Sequence, residues 1–227
     1  MLCKRGLMRP AQLSVSRCLL LFSCGALAIA VLALTVLASA SQAFAAGGAD
    51  LRIQITDQNG MPIRNAVVEV HPAALTPRPI RFPWRMGMAQ KGQAFVPGTL
   101  VVARGSTVAF PNLDKVRHSI YSFSPAARFE IDLYGRDQTR THTFTRTGAV
   151  KLGCNIHDDM RGYIRVTDTP HAGTTDRNGY LTLPGMNTGR ARVTVWHPQL
   201  RAPRNEHRIE VMLADGAQTR KIGVRLR

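Results

Sequence analysis

Acidic side chains are scarce in this sequence, as are cysteines and aromatic residues. Of its 227 residues, 14 are Asp or Glu against 30 Lys or Arg, four are cysteine, and 6% are aromatic. Three of the cysteines, Cys3, Cys18 and Cys24, crowd the N-terminus, which excludes a small fold stapled by disulfides. Long apolar runs are missing beyond the opening segment, which excludes a multi-span membrane protein. Helical periodicity is missing there too: no run of about ten residues repeats its apolar positions at the spacing a helix needs. No nucleic-acid-binding motif is present. What remains is 44% hydrophobic and only 19% charged, so the chain is folded rather than disordered, with enough apolar material for one or two domains.

The opening segment is an address. Residues 1–17 carry Lys4, Arg5, Arg9 and Arg17 and no acid, an apolar run follows from Cys18 to Ala40, and Ala43-Phe44-Ala45 supplies small residues around a bulky one. Basic flank, apolar middle and small-residue exit read as a secretory signal peptide over residues 1–45. The alternative is an uncleaved anchor, since the run is long enough to span a bilayer; membrane contact is expected only in that case. Cleavage removes four basic residues and no acids, leaving 26 against 14. No basic block exists, so the positive charge is diffuse, and it favours acidic protein partners or anionic surfaces by steering rather than nucleic acid. Cleavage also leaves Cys154 as the single cysteine. A lone thiol outside the cytoplasm has no internal disulfide partner and is an oxidation hazard unless it is buried or bound.

The rest of the chain alternates with period two. Leu51, Ile53 and Ile55 alternate up to an Asp57-Gln58-Asn59-Gly60 turn, and Ala66, Val68 and Val70 follow. Prolines 72, 77, 79 and 83 mark a linker. Leu100 and Val102 precede an Arg104-Gly105 turn, with Val108 and Phe110 beyond it. Phe129, Ile131 and Leu133 alternate, as do Val150, Leu152 and Cys154, then Gly162, Ile164 and Val166. Further alternations, in Val193-Val195, Ile209-Val211-Leu213 and Ile222-Val224-Leu226, close the chain. The expected fold class is all-β, built from sandwiches.

Chemistry concentrates in Cys154-Asn155-Ile156-His157-Asp158-Asp159-Met160. A thiolate, an imidazole and a thioether at C-x2-H-x2-M spacing are soft to borderline donors, which suit copper and not magnesium or calcium. Two imidazoles and a thiolate in a plane with a long axial thioether make a blue-copper site. The loop supplies three of those four ligands, so a second histidine must come from elsewhere. His118 is the candidate: with Ile120 and Ser122 it alternates on one face, which points its imidazole inward at the end of a sheet. His142 reads as a strand residue facing solvent or a partner, and His197, between Trp196 and Pro198, as part of a packed corner.

These residues resemble the cupredoxins, the small copper proteins of the plastocyanin and amicyanin type. The resemblance covers residues 86–168 and rests on Phe95-x-Pro97, Val101 to Gly105, Val108-x-Phe110-x-Asn112-x-Asp114, His118 and the Cys154 loop, whose spacing is similar to the short amicyanin loop. It implies a Greek-key sandwich holding one copper ion on His118, Cys154, His157 and Met160. It also implies cycling between Cu(II) and Cu(I) with no substrate bond made or broken, and electron passage through the more exposed His157. More narrowly, Tyr121-Ser122-Phe123-Ser124, Leu152 to Asp158 and Val195-Trp196-His197-Pro198 resemble periplasmic proteins of the methylamine utilization type. Two positions depart from the family. Ser119 follows the first histidine where many cupredoxins carry an asparagine that ties the two ligand loops together. Asp158 and Asp159 follow His157 where amicyanin has proline and an apolar residue.

Residues 46–72 and 169–227 resemble the two halves of a carboxypeptidase regulatory-like, transthyretin-like β-sandwich, the second half opening on Thr175-Asp176-Arg177-Asn178-Gly179. The copper domain is then an insertion between them, reached through a linker at 73–85. The expected function is periplasmic electron transfer between redox proteins, with an acidic cytochrome or dehydrogenase as partner. A copper carrier or storage protein is the alternative. An enzyme is not expected: multicopper oxidases need His-x-His pairs, and the sequence has none.

Overall fold

Alternating apolar residues become strands throughout the computed structural model, which describes residues 48–74 and 79–227. The signal peptide expected at 1–45, the three N-terminal cysteines and Pro77 lie outside the described residues. The chain starts with β1 (Ala49–Thr56) and β2 (Val67–Pro72). Next come β3 (Ala89–Gln90), β4 (Phe95–Val96), β5 (Thr99–Ala103), β6 (Ser106–Pro111), β7 (His118–Ser124), β8 (Ala127–Tyr134), β9 (Thr139–Phe144), β10 (Gly148–Cys154) and β11 (His157–Thr167). It ends with β12 (Ala172–Thr174), β13 (Tyr180–Met186), β14 (Gly189–Trp196), β15 (Glu206–Leu213) and β16 (Gly216–Gly223). A single 3-10 turn, Pro203–Asn205, interrupts them among the described residues. The protein is all-β.

Two apolar cores organise these strands. The first lies between a three-stranded sheet, β13-β1-β16, and a four-stranded sheet, β12-β2-β14-β15. Leu51, Ile53, Ile55, Leu183 and Ile222 meet Val68, Val70, Val193, Val195 and Leu213 there. On β1, Leu51, Ile53 and Ile55 are buried while Asp50 and Arg52 face out, the period-two pattern of a strand with one wet face. Two matching turns fix its register. Asp57 accepts from the amides of Asn59 and Met61, both at 2.8 Å, and Asp176 accepts from those of Asn178 and Tyr180, both at 2.8 Å. Gly179 adopts a φ of +74°, and a Cβ there would fall 2.5 Å from the Ile55 carbonyl; only glycine fits that turn.

The second core draws on residues lying between those of the first in the chain. Leu100, Phe110, Ile120, Phe144, Leu152, Cys154, Met160 and Ile164 pack together. A five-stranded sheet, β5-β11-β10-β7-β8, covers one side, with the β6-β9 and β3-β4 pairs completing the enclosure. The two cores meet at Val67, Val101, Ala172 and Trp196, against which Phe82, Trp84 and Tyr163 pack. Phe82 and Trp84 stack at 4.6 Å, and the Trp84 indole donates to the Val101 carbonyl at 2.8 Å.

A buried ion pair crosses the same junction. Arg165 on β11 donates to Glu69 on β2 at 2.6 Å and to Glu206 on β15 at 2.8 Å, with all three side chains at most 9% exposed. Arg208 also pairs with Glu206. The two carboxylates and the burial-penalised guanidinium stabilise one another: burial alone lowers the Arg165 pKa, but Glu69 and Glu206 raise it. Removing a buried partner is costlier than the pair is worth, because the remaining charge stays desolvated. Arg165→Met leaves Glu69 without its ion-pair partner, and it is expected to destabilise the protein by about 3–5 kcal/mol in urea unfolding. A loss below about 1 kcal/mol, the range of an exposed pair, contradicts this reading of the junction.

Candidate metal centre

A tight hairpin carries the thiol and one imidazole. β10 and β11 pair antiparallel until Gly153 faces Arg161; the register then shifts, and Cys154 faces His157 across a turn made of Asn155 and Ile156. Cys154 continues the buried row of Val150 and Leu152 and is 3% exposed. His157 opens β11 half-buried, Asp158 and Asp159 are exposed, and Met160 is buried in the same core as Cys154. His118 arrives from β7, the strand next to β10, and is fully buried with Ile120 and Ser122 along the inner face.

Three of the four residues expected to bind metal converge. The Nδ1 atoms of His118 and His157 each lie 3.7 Å from the Cys154 sulfur, and the donor atoms of this trio all fall within 4.8 Å of one another. The two rings are 4.9 Å apart and tilted by 49°. Metal bonds of about 2.0 Å to nitrogen and 2.3 Å to sulfur, opened to a trigonal angle, separate the two donors by about 3.7 Å. The observed spacing therefore fits a first-row metal ion that two imidazoles and a thiolate would hold. Met160, the fourth expected ligand, lies on the strand that His157 opens, with its side chain in the core.

The sequence reading assigned no role to the group that sets the His118 tautomer. Asp114 lies four residues before His118, and its carboxylate accepts from His118 Nε2 at 2.9 Å. An ionised carboxylate only accepts, so Nε2 carries the proton and Nδ1 offers its lone pair toward the sulfur. Asp114 is itself held from three sides. The amides of Gly92 and Gln93, at the β3-β4 turn, donate to it at 2.6 and 2.9 Å, and its own amide donates to Asn112 at 2.9 Å. Asn112 is fully buried and donates to the carbonyls of Val116 and Tyr134. The signal for this arrangement was present as Asn112-x-Asp114-x3-His118, but the contact with the β3-β4 turn is not visible in a linear reading.

Ser119 supplies the loop tie expected of asparagine in cupredoxins. Its hydroxyl accepts from the Asn155 amide at 3.0 Å and lies 3.9 Å from the Cys154 sulfur, so β7 is pinned to the Cys154 turn. Asn155 in turn donates to Glu130 on β8 at 3.0 Å. Both loops that carry imidazoles expose apolar side chains, Leu113 and Val116 on one and Ile156 on the other. The other histidines sit elsewhere. His142 stacks on Phe129 at 3.8 Å and has its pKa lowered by burial, and His197 is similarly lowered by burial.

No protein-family model and no curated protein matches the chain. Among solved structures it is similar to a reduced amicyanin mutant, at 23% identity over 36% of this chain and 80% of that one, with a TM-score of 0.34. It is similar to a purple cupredoxin from Nitrosopumilus maritimus, at 22% identity over 36% of this chain and 98% of that one, TM-score 0.33. It is also similar to a copper-containing nitrite reductase from Thermus scotoductus SA-01, at 26% identity over 44% of this chain and 26% of that one, TM-score 0.36.

The Asp114 carboxyl is held below the usual carboxylate range. Burial alone would raise it, but the amides of Gln93 and Gly92 and the His118 imidazole outweigh that effect. A carboxyl lowered by folding contributes stability above its unfolded pKa of about 3.9 and loses it as the pH falls through the lower folded value. Asp114→Asn keeps the shape and removes the charge. In the metal-free protein it is expected to cost about 1–2 kcal/mol at pH 7, with the gap closing as the pH drops below about 4. Urea unfolding across that range checks it; a gap that does not change with pH contradicts the charge argument.

Proposed function

We propose that the protein is a type 1 copper protein that carries single electrons between redox partners. The observation behind this reading is the pair of imidazole Nδ1 atoms, each 3.7 Å from one buried thiol sulfur. His118, Cys154 and His157 would hold the ion, with the Met160 thioether as a fourth donor. Copper bound there supplies a one-electron couple. The protein's part is to fix the donors so that little rearranges when the charge changes: Asp114 sets the His118 tautomer and Ser119 ties the two ligand loops. Thiolate, thioether and imidazole together favour copper over harder ions. Filling four positions with protein ligands leaves none for a substrate, which supports a carrier of electrons and not an enzyme.

In this reading residues 86–168 form a cupredoxin domain inserted, through the 73–85 segment, into a regulatory-like sandwich made of 46–72 and 169–227. Residues 1–45 direct the chain to the periplasm and are removed there. The excess of basic residues favours acidic partners, a cytochrome or a dehydrogenase. The short segments around Tyr121, Cys154 and Trp196 support membership of the methylamine utilization type. Half-buried His157, beside exposed Ile156, is a point of electron exchange at the metal end.

Cu(II) added to the purified protein should produce one equivalent of intense visible absorption from thiolate-to-copper charge transfer. Cys154→Ala should abolish it, while Met160→Leu should keep the colour and raise the reduction potential, because a donor to Cu(II) is lost. Colour that persists in Cys154→Ala rules out this assignment. Tight copper binding without reversible reduction points instead to a carrier or storage protein.

A further inference from the structure

One long strand edge of the sandwich around the first core has no partner. β15 closes the sheet β12-β2-β14-β15 and pairs with β14 alone, without a register shift. Which backbone groups it leaves free follows from the ladder behind it. The Ala73 amide donates to the Arg190 carbonyl at 2.9 Å, so Arg190, and with it Arg192 and Thr194, bonds toward β2. Antiparallel bonding alternates along a strand. Ala191, Val193 and Val195 therefore bond toward β15, where they meet Val211, Ile209 and His207. The N–H and C=O groups of Arg208, Glu210 and Met212 point away from the sheet, and none has a partner among the described residues.

This edge lacks the devices that normally keep strands apart. No proline, bulge or lysine interrupts Glu206–Leu213. Ile209 and Val211 are only partly buried against the first core, and Met212 is 60% exposed. The other edges of the larger sheets are blunted. β12 has three residues, β13 carries Pro184, and β16 carries Arg220 beside Lys221. The Trp84 indole caps a carbonyl on β5, and β8 shifts register against β7. Acids also outnumber bases on β15, Glu206 and Glu210 against Arg208, in a chain with 30 basic residues against 14 acidic ones. Glu206 is held by Arg165 and Arg208, whereas Glu210 has no ion-pair partner among the described residues.

We infer that β15 pairs antiparallel with the same strand of a second copy, extending the four-stranded sheet across a twofold axis at Ile209. Free N–H and C=O groups must meet free ones, so the outward-bonding residues pair only among themselves. An axis at residue 208 or 210 sets Arg208 against Arg208 or Glu210 against Glu210, and like charges directly opposite destabilise a sheet. An axis at Ile209 sets Arg208 against Glu210 on both sides. A shift toward Glu206 runs into the 3-10 turn at Pro203–Asn205. A shift toward Leu213 leaves Glu210 facing Met212 and Arg208 facing Ala214. The charges of the strand thus match a second copy of itself in one register, and disfavour its neighbours. The pairing covers Ile209 and Val211, and it uses none of the three metal donors, which lie on β7, β10 and β11. The sandwich around the first core then has a task of its own, which is to join two copies of the metal-binding half.

Sedimentation velocity on the purified, metal-free protein, from about 1 to about 200 µM, tests this whatever the metal site binds. The two-chain mass should grow with concentration; a single-chain mass throughout overturns the inference. Arg208→Glu and Glu210→Arg each set like charges opposite one another across the axis, and each should raise the dimer dissociation constant about tenfold or more. An equimolar mixture of the two variants restores opposite charges at both positions, so mixed dimers should form to within about threefold of the parent affinity. A variant that merely failed to fold would not be rescued in this way. Dimers that both variants leave intact, or that the mixture fails to restore, overturn the register at Ile209. Amide hydrogen exchange in the parent protein decides independently of any variant. The amides of Arg208, Glu210 and Met212 should exchange more slowly in concentrated than in dilute protein, and unchanged exchange there overturns the inference.

Discussion

A single thiol faced by two imidazole nitrogens at equal distance is the constraint on which the rest of the structure depends. A thiol has one proton and can donate it to at most one of the two ring nitrogens, whereas one metal ion would engage the sulfur and both nitrogens at once. His118 brings this out most clearly. Asp114 accepts from Nε2 and so turns the Nδ1 lone pair toward the sulfur. The β3-β4 turn holds Asp114, and Asn112 holds the loop that carries it. Each layer outward fixes the one inside it, which is the arrangement a site needs if its ligands are to stay in place when the charge of a bound ion changes.

The strands explain why the donors arrive together. Period-two burial on β7 and β10 points His118 and Cys154 into one core from adjacent strands, and the two-residue turn at Asn155-Ile156 returns His157 beside the cysteine. Ser119 closes the gap between these elements with one hydroxyl. Among the described residues, the sandwich around the first core contributes none of these three donors. It is joined to the second core through the Trp196 cluster and the Arg165 ion pairs, well along β11 from His157.

Much of this was legible in the sequence because it is local. Alternation gives strands wherever one face is buried, so the all-β class follows from residues such as Leu51, Ile53 and Ile55. The Asp57 and Asp176 turns announce themselves by their glycines three positions on, Gly60 and Gly179. C-x2-H-x2-M places two donors within one turn, and His118 stands out by alternating with Ile120 and Ser122. What was not legible depends on pairings distant along the chain. The grip of Gly92 and Gln93 on Asp114 and the bridge from Arg165 to Glu69 both require knowing which strands are neighbours. Ser119 shows the limit from the other direction. Its identity departs from the asparagine that the cupredoxin resemblance leads one to expect, yet its hydroxyl accepts from the Asn155 amide and ties β7 to the Cys154 turn.

The central claim is that one sulfur and two imidazole nitrogens share one ion, and X-ray absorption at the copper edge tests it most directly. The account predicts one sulfur scatterer at about 2.2–2.3 Å with two nitrogens at about 2.0 Å. A shell of nitrogen and oxygen alone, with no short sulfur, would contradict it.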